Sequence, residues 1–205
     1  MSELRYNNIR ARDKVTMSEE PASICFNGQF LISTPDLKDG VFGSSLVLIC
    51  EHSKRGAMGF IVNKPSDFSV QEIFSQLDIE TSARLNPNVQ VMNGGPVEIQ
   101  RGFLLSGYPL SDDVAEVLDG LYLASSPDSL PLAVDALNQG DAIFILGYSG
   151  WSEGQLENEI AAHAWINVPW DADVIFQIPT VDRQRAALAQ LGIDPIQLSK
   201  GAGHG

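Results

Sequence analysis

Leu46-Val47-Leu48-Ile49-Cys50-Glu51-His52-Ser53-Lys54-Arg55-Gly56-Ala57-Met58-Gly59-Phe60-Ile61-Val62 holds two apolar runs with a short break between them. Leu46–Glu51 and Met58–Val62 are rich in residues that suit a pleated, half-buried surface. Only His52–Ala57 separate them, and Gly56 supplies turn chemistry, so the stretch predicts a β-hairpin. A doubly wound sheet would put a helix between every two strands. The fold class that follows is α+β, built on a mixed and curved sheet.

The flanking sequence agrees. Phe30-Leu31-Ile32 reads as a strand closed by Thr34-Pro35. Ser69-x-x-Glu72 is a capping box that opens a helix with Val70, Ile73, Phe74 and Leu77 on its apolar face. Val89–Met92 and Phe103–Leu105 read as strands on either side of Asn93-Gly94-Gly95-Pro96, and Val114–Leu118 and Leu121–Leu123 as two more. Ser126-Pro127 starts a helix expected to run to about Asn138 and to stop before Gly140. Ala142–Leu146 is a buried strand, Ser152-x-x-Gln155 a second capping box opening a helix to about His163, Val174–Ile178 a strand, and Asp182–Leu191 a helix stopped by Gly192.

Residues 1–20 stand apart. They carry Arg5, Arg10, Arg12 and Lys14 with few large apolar residues, which predicts a flexible arm ahead of one domain spanning 21–205. A basic tail for an acidic partner is the other reading, diluted by Glu3, Asp13, Glu19 and Glu20. The whole chain, with 26 acidic against 13 basic residues, has a net charge of −13. That field opposes nucleic-acid backbones and anionic membranes, so direct DNA binding is not expected. Two cysteines, Cys25 and Cys50, make no disulfide framework and suggest a reducing compartment. No apolar run approaches the ~20 residues of a membrane span, and no secretory signal opens the chain, so the expected location is the cytoplasm.

Four stretches carry a resemblance: Gly28–Pro35; Cys50-Glu51-His52 followed by Gly56–Pro65; Gly94-Gly95-Pro96-Val97 followed by Arg101-Gly102-Phe103; and Leu146–Trp151 followed by Gly154-Gln155-Leu156-Glu157 and Glu159. In this order they resemble the bacterial YqgE/AlgH family, over nearly the whole chain from Gly28 on. The resemblance implies an α+β fold whose branched sheet forms a pseudo-barrel with flanking helices. Some members carry a transcriptional-regulator label tied to alginate biosynthesis; no catalytic activity or cofactor comes with the name. This chain departs from the pattern at Ser106, where the family has His, at Ala124, where it has Thr, and at His163, where it has Asn.

Chemistry-bearing residues are few. Cys50 and His52 stand two apart on one predicted strand, which would put both on one face. A thiolate–imidazole pair is one reading, and a buried thiol beside a half-exposed His is the other. His52, His163 and His204 lie at no ligand spacing to one another, so no metal is expected, and the resemblance implies no cofactor. Glycines at Gly94-Gly95 and in Gly147-Tyr148-Ser149-Gly150-Trp151 permit positive φ or close approach of a backbone. The second segment reads as a junction between a strand and a helix N-terminus, a place for an anion. It lacks a P-loop lysine, and Glu153, Glu157 and Glu159 oppose phosphate.

Gln155 and Glu159 share one helix face, and Leu156 and Ile160 an adjacent, core-facing one. Tyr148 and Trp151 either plug the core or line a groove. Arg101, the only basic residue between Arg84 and Arg183, follows the first glycine turn. Both turns are therefore expected to lie side by side around one shallow groove. Its rim would hold Asn63, Lys64, Gly94, Gly95, Pro96, Arg101, Gly147, Tyr148, Gly150, Trp151, Gln155 and Glu159. The first expectation is a non-enzymatic regulatory or binding protein with a protein or small-molecule partner. The alternative is a hydrolase-like enzyme using Glu51, His52 or Glu157. An enzyme should bring two titratable groups within hydrogen-bond reach in one pocket; a binding module should show an apolar groove without them.

Overall fold

A computed structural model describes residues 25–37, 40–81, 83–112 and 114–193. The expected arm at 1–20 and His204 lie outside the described residues. The hairpin forms as expected, from β2 (Leu46–Ser53) and β3 (Gly56–Ile61), with a tighter turn at Lys54-Arg55. It is the centre of a ten-stranded sheet that runs β10-β1-β2-β3-β9-β6-β8-β7. The other strands on this path are β1 (Gln29–Ser33), β6 (Val97–Ser106), β7 (Ala115–Leu118), β8 (Leu121–Ala124), β9 (Ala142–Ser152) and β10 (Trp165–Pro169). Two strands branch off it: β4 (Pro65–Ser69) pairs with β5 (Gln90–Asn93), and β5 pairs with β9 in parallel. The sheet curls into a half-barrel with helices on both faces, so the α+β class and the branched, curved sheet are as expected.

The pleat sorts the apolar residues into three cores. On one face Phe30, Leu48, Phe60, Phe103, Leu105 and Ile145 form a continuous layer, closed by α4 (Ala172–Phe176) and α5 (Arg183–Ala189) through Ile175 and Leu188. The other face carries two separate cores. Leu104, Ala124 and Phe144 pack under α1 (Val70–Gln76) and α2 (Val134–Gln139). Leu31, Val47, Ile49 and Ile61 pack with Trp151 and Trp165 under Leu156 of α3 (Gln155–Ala161).

Several local expectations are corrected. Val174–Ile178 is not a strand: Asp171 caps a helix there, its Oδ1 accepting the Asp173 N–H at 3.0 Å, and the cap outweighs the β-branched run. The edge strand is instead β10, paired with β1. The helix expected over 126–138 starts at Ser126-Pro127 but breaks into 3-10 turns at Pro127–Ser129 and Pro131–Ala133, because Pro131 has no N–H to give. Only Val134–Gln139 is α-helical. Ser152 closes β9 and opens no helix. The Gln155 side chain reaches back to the Ser152 N–H at 3.1 Å, but the Ser152 hydroxyl bonds that same side chain and leaves the helix start at Gly154. The Ser69–Glu72 box forms in full.

Cys50 and His52 do not share a face. The register shifts by one between Ile49 and Glu51, and a one-residue bulge reverses the alternation. Cys50 lies in the first-face core, and His52 turns to the opposite face against Phe26, ring centroids 5.2 Å apart. β9 reverses in the same way at Gly147: Ile143, Ile145 and then Tyr148 face the first core, while Phe144 and then Trp151 face the other.

Candidate functional site

The two glycine segments do lie side by side, and what lies between them is backbone. Gly147–Trp151 is not a strand-to-helix junction but the second half of β9, which leaves β5 after Leu146, shifts its register on β6 so that Tyr148 pairs with Val97, and pairs with β3 from Ser149. Gly94 stitches this fork. Its N–H donates to Leu146 O at 2.8 Å, and its carbonyl accepts from Ile61 N at 2.9 Å and from the buried Ser149 hydroxyl at 3.1 Å. A Cβ on Gly94 would overlap the Gly147 carbonyl and the Ile145 side chain, and one on Gly95 would overlap the Tyr148 carbonyl. Gly147, at φ 70°, makes the bend that lets β9 change partners. The segment is strand throughout, and the next helix, α3, starts only at Gln155.

The remaining residues of the expected rim are spread around this fork. Asn63 takes the Leu46 N–H at 2.7 Å and donates to Ser44 O at 3.0 Å; Lys64 Nζ donates to Val41 O at 2.6 Å. Both pin the 41–45 loop. Pro96 is exposed. Arg101 pairs with Glu98 at 2.9 Å and lies over the Phe103 ring at 5.1 Å. Four of the residues singled out in the sequence, Glu51, Tyr148, Gly150 and Trp151, do line one shallow hollow of about 430 Å³, together with Met58 and Val97.

Trp151 is a plug: it is buried against Phe42 and Trp165. Its indole N–H and that of Trp165 both donate to Glu159 Oε2 at 2.8 Å, and Gln155 donates to Glu159 Oε1 at 2.9 Å. Gln155 and Glu159 thus form a clamp on two tryptophans. His52 and Glu157 meet at 3.0 Å, which puts two titratable groups within hydrogen-bond reach. The imidazole is spent, however. Its Nδ1 accepts the Phe26 N–H at 3.2 Å, so Nε2 carries the proton given to Glu157, and no lone pair is left to take a proton from a substrate. Burial pushes the Cys50 thiol up to about 12, which disfavours the thiolate nucleophile.

A different place is open. A cavity of about 610 Å³ lies at the uncovered end of the second-face core. Its floor is Leu104, Phe144 and Leu146 of the sheet; Ile73, Gln76 and Leu77 form one wall, and Ala124–Pro127 with Leu130 the other. Phe68, Leu77 and Ile99 stand at its mouth with 52%, 56% and 64% of their surface exposed. Gly102 gives the Phe144 ring its place, since a Cβ there would press on the ring edge at 2.8 Å. Ala124 stands where the family pattern leads to Thr, so this position adds no hydroxyl to the wall.

The apolar spacing of the Ser69-capped helix puts Leu77 on its core-facing side, yet it is 56% exposed. Only Val70 and Phe74 of that face are buried. The signal lay in apolar residues set in polar surroundings: Phe68 in Ser66-Asp67-Phe68-Ser69 and Ile99 in Glu98-Ile99-Gln100. The other two departures are structural. Ser106 is buried and donates to Tyr108 O at 2.8 Å. His163 holds a left-handed turn at φ 58°, a conformation that Asn adopts readily. Among the described residues no group of three or more His, Cys, Asp and Glu could hold a metal ion, and no helix is long and apolar enough to cross a membrane.

Residues 30–196 match the model of a family described as AlgH-like. A UPF0301 protein of Bordetella petrii is 42% identical over 180 residues, covering 87% of this chain and 89% of its own. Another, of Thioalkalivibrio sulfidiphilus, is 40% identical over 184 residues, covering 89% and 98%. The solution structure of AlgH from Pseudomonas aeruginosa superposes with a TM-score of 0.67 at 34% identity, over 87% of this chain and 95% of that one. A crystal structure from Corynebacterium diphtheriae, 20% identical with a TM-score of 0.64 over 85% and 90% of the two chains, shares the fold.

Proposed function

The chain belongs to the AlgH-like family, and on that footing we propose that it is a non-enzymatic binding protein of the cytoplasm whose site is the apolar cavity beside α1. One observation carries this: a cavity of about 610 Å³, within the size range of ligand sites, with exposed Phe68, Leu77 and Ile99 at its mouth. The fork at Gly94 and Gly147 takes second place, because the protein's own backbone fills it. The hydrolase-like alternative, resting on Glu51, His52 or Glu157, is disfavoured by the occupied imidazole of His52. Any regulatory role is indirect and runs through a protein partner, since a net charge of −13 opposes DNA. Native mass spectrometry of the chain recovered from its own cells is the test. A bound mass that is absent from the Leu77→Asp and Ile99→Asp variants, and that fresh protein leaves unchanged, is the expected result. Turnover of the released molecule contradicts the reading.

A further inference from the structure

We infer that the cavity takes an uncharged, predominantly apolar small molecule, of the acyl-chain or fused-ring kind; this rests on the binding reading above and names the ligand class for the same site. Among the described residues that line the cavity none carries a charge, in a chain where 39 of 205 residues are Lys, Arg, Asp or Glu by the totals of 13 and 26. Its polar atoms come from amides and hydroxyls, Gln76, Gln100, Ser125 and Ser126. These can hydrogen-bond a hydroxyl, carbonyl or ether but offer no counter-ion. A carboxylate or phosphate brought into such a space would lose its water without a cationic partner, a cost of several kcal/mol. The acidic field of the chain adds to that cost. A cationic ligand would equally lack a carboxylate in the wall. The site therefore selects against charge of either sign, and its area of contact is hydrocarbon: Leu104, Phe144 and Leu146 below, Leu77 and Ile99 at the mouth.

Two fluorescent dyes with the same ring system test this. N-phenyl-1-naphthylamine is uncharged; 1-anilinonaphthalene-8-sulfonate adds only a sulfonate. The uncharged dye should bind saturably at one per chain, and the sulfonate at least tenfold more weakly. Dodecan-1-ol should displace the dye, and dodecanoate at the same concentration should not. Leu77→Asp and Ile99→Asp, both at exposed positions, should weaken the dye at least tenfold with the thermal midpoint unchanged. Ser125→Trp, also exposed, fills the mouth and should do the same without a new charge. The inference is overturned by equal binding of the sulfonate or of dodecanoate, by dye binding indifferent to all three variants, or by no saturable binding. It is also overturned by a dimer that dissociates in Ile99→Asp while no dye binds, which makes a second copy the occupant. An anionic adduct on the native chain, lost in the rim variants, sinks this inference and leaves the binding reading standing. The absence of both adduct and dye sinks both.

Discussion

The fork at Gly94–Gly95 and Gly147 and the cavity beside α1 are reversed images of each other. At the fork, residue types that signal a ligand site are used up by the protein's own backbone: strand β9 changes partners there, and glycines allow the crossing. At the cavity, residue types that signal core are left without cover. A glycine pair says that something approaches closely; it does not say whether that is a ligand or the next strand. An apolar helix face says that something covers it, and here the fold supplies cover only as far as Phe74.

The sharpest way to break this contrast is Gly94→Ala. Its Cβ has no free space at Gly147 and Ile145, so the change should cost more than about 4 kcal/mol or abolish folding. Gly150→Ala in the facing glycine segment meets the Tyr148 ring edge at 3.5 Å and the Val97 methyl at 3.8 Å, both ordinary contacts, and should change stability by less than about 1 kcal/mol in urea melts. Equal tolerance at both positions would remove the structural role assigned to the fork.

The two thiols test the sorting of faces. Cys25 is exposed and Cys50 buried. With the Cys50 thiol pushed from 9.0 up to about 12, its thiolate fraction at pH 8 falls roughly a thousandfold, so iodoacetamide should label one site fast and the second only in denaturant. Because the folded value is raised, the stability tied to the neutral thiol is full below the unfolded value of about 9. It is lost as pH rises through about 12. Two equally fast sites at pH 8 would refute the burial of Cys50.

Glu159→Ala should cost about 2–4 kcal/mol, since it orphans the indole N–H groups of buried Trp151 and Trp165. A smaller loss, with red-shifted tryptophan emission, would mean that water replaces the carboxylate. The smallest effect belongs to the cavity mouth: Leu77→Asp and Ile99→Asp should shift stability by less than about 0.5 kcal/mol. A large loss at either would mean that these side chains are core after all.

The hairpin, the Ser69–Glu72 cap and the buried strand over Ala142–Leu146, though not its continuation to Ser152, were legible because each depends on local chemistry. The face of His52 was not, because a bulge at Cys50 is set by pairing with β3 and leaves no mark in the apolar alternation. Gly147–Trp151 read as a junction because glycine often ends a strand; that β9 continues depends on β3, some ninety residues earlier. The edge strand Trp165–Pro169 carries a weaker β signal than Val174–Ile178, where the Asp171 cap nonetheless sets a helix. The cavity was out of reach, since whether Leu77 is covered depends on what α2 and β6 leave open.

Mapping amide chemical shifts as the uncharged naphthylamine dye is added compares the two regions in one experiment. The account predicts that the perturbed amides are those of Ile73–Leu77, Ile99–Leu104 and Ala124–Leu130, with Gly94–Gly95 and Gly147–Trp151 unmoved. Perturbation centred on the glycine fork, with the residues beside α1 unmoved, would contradict it.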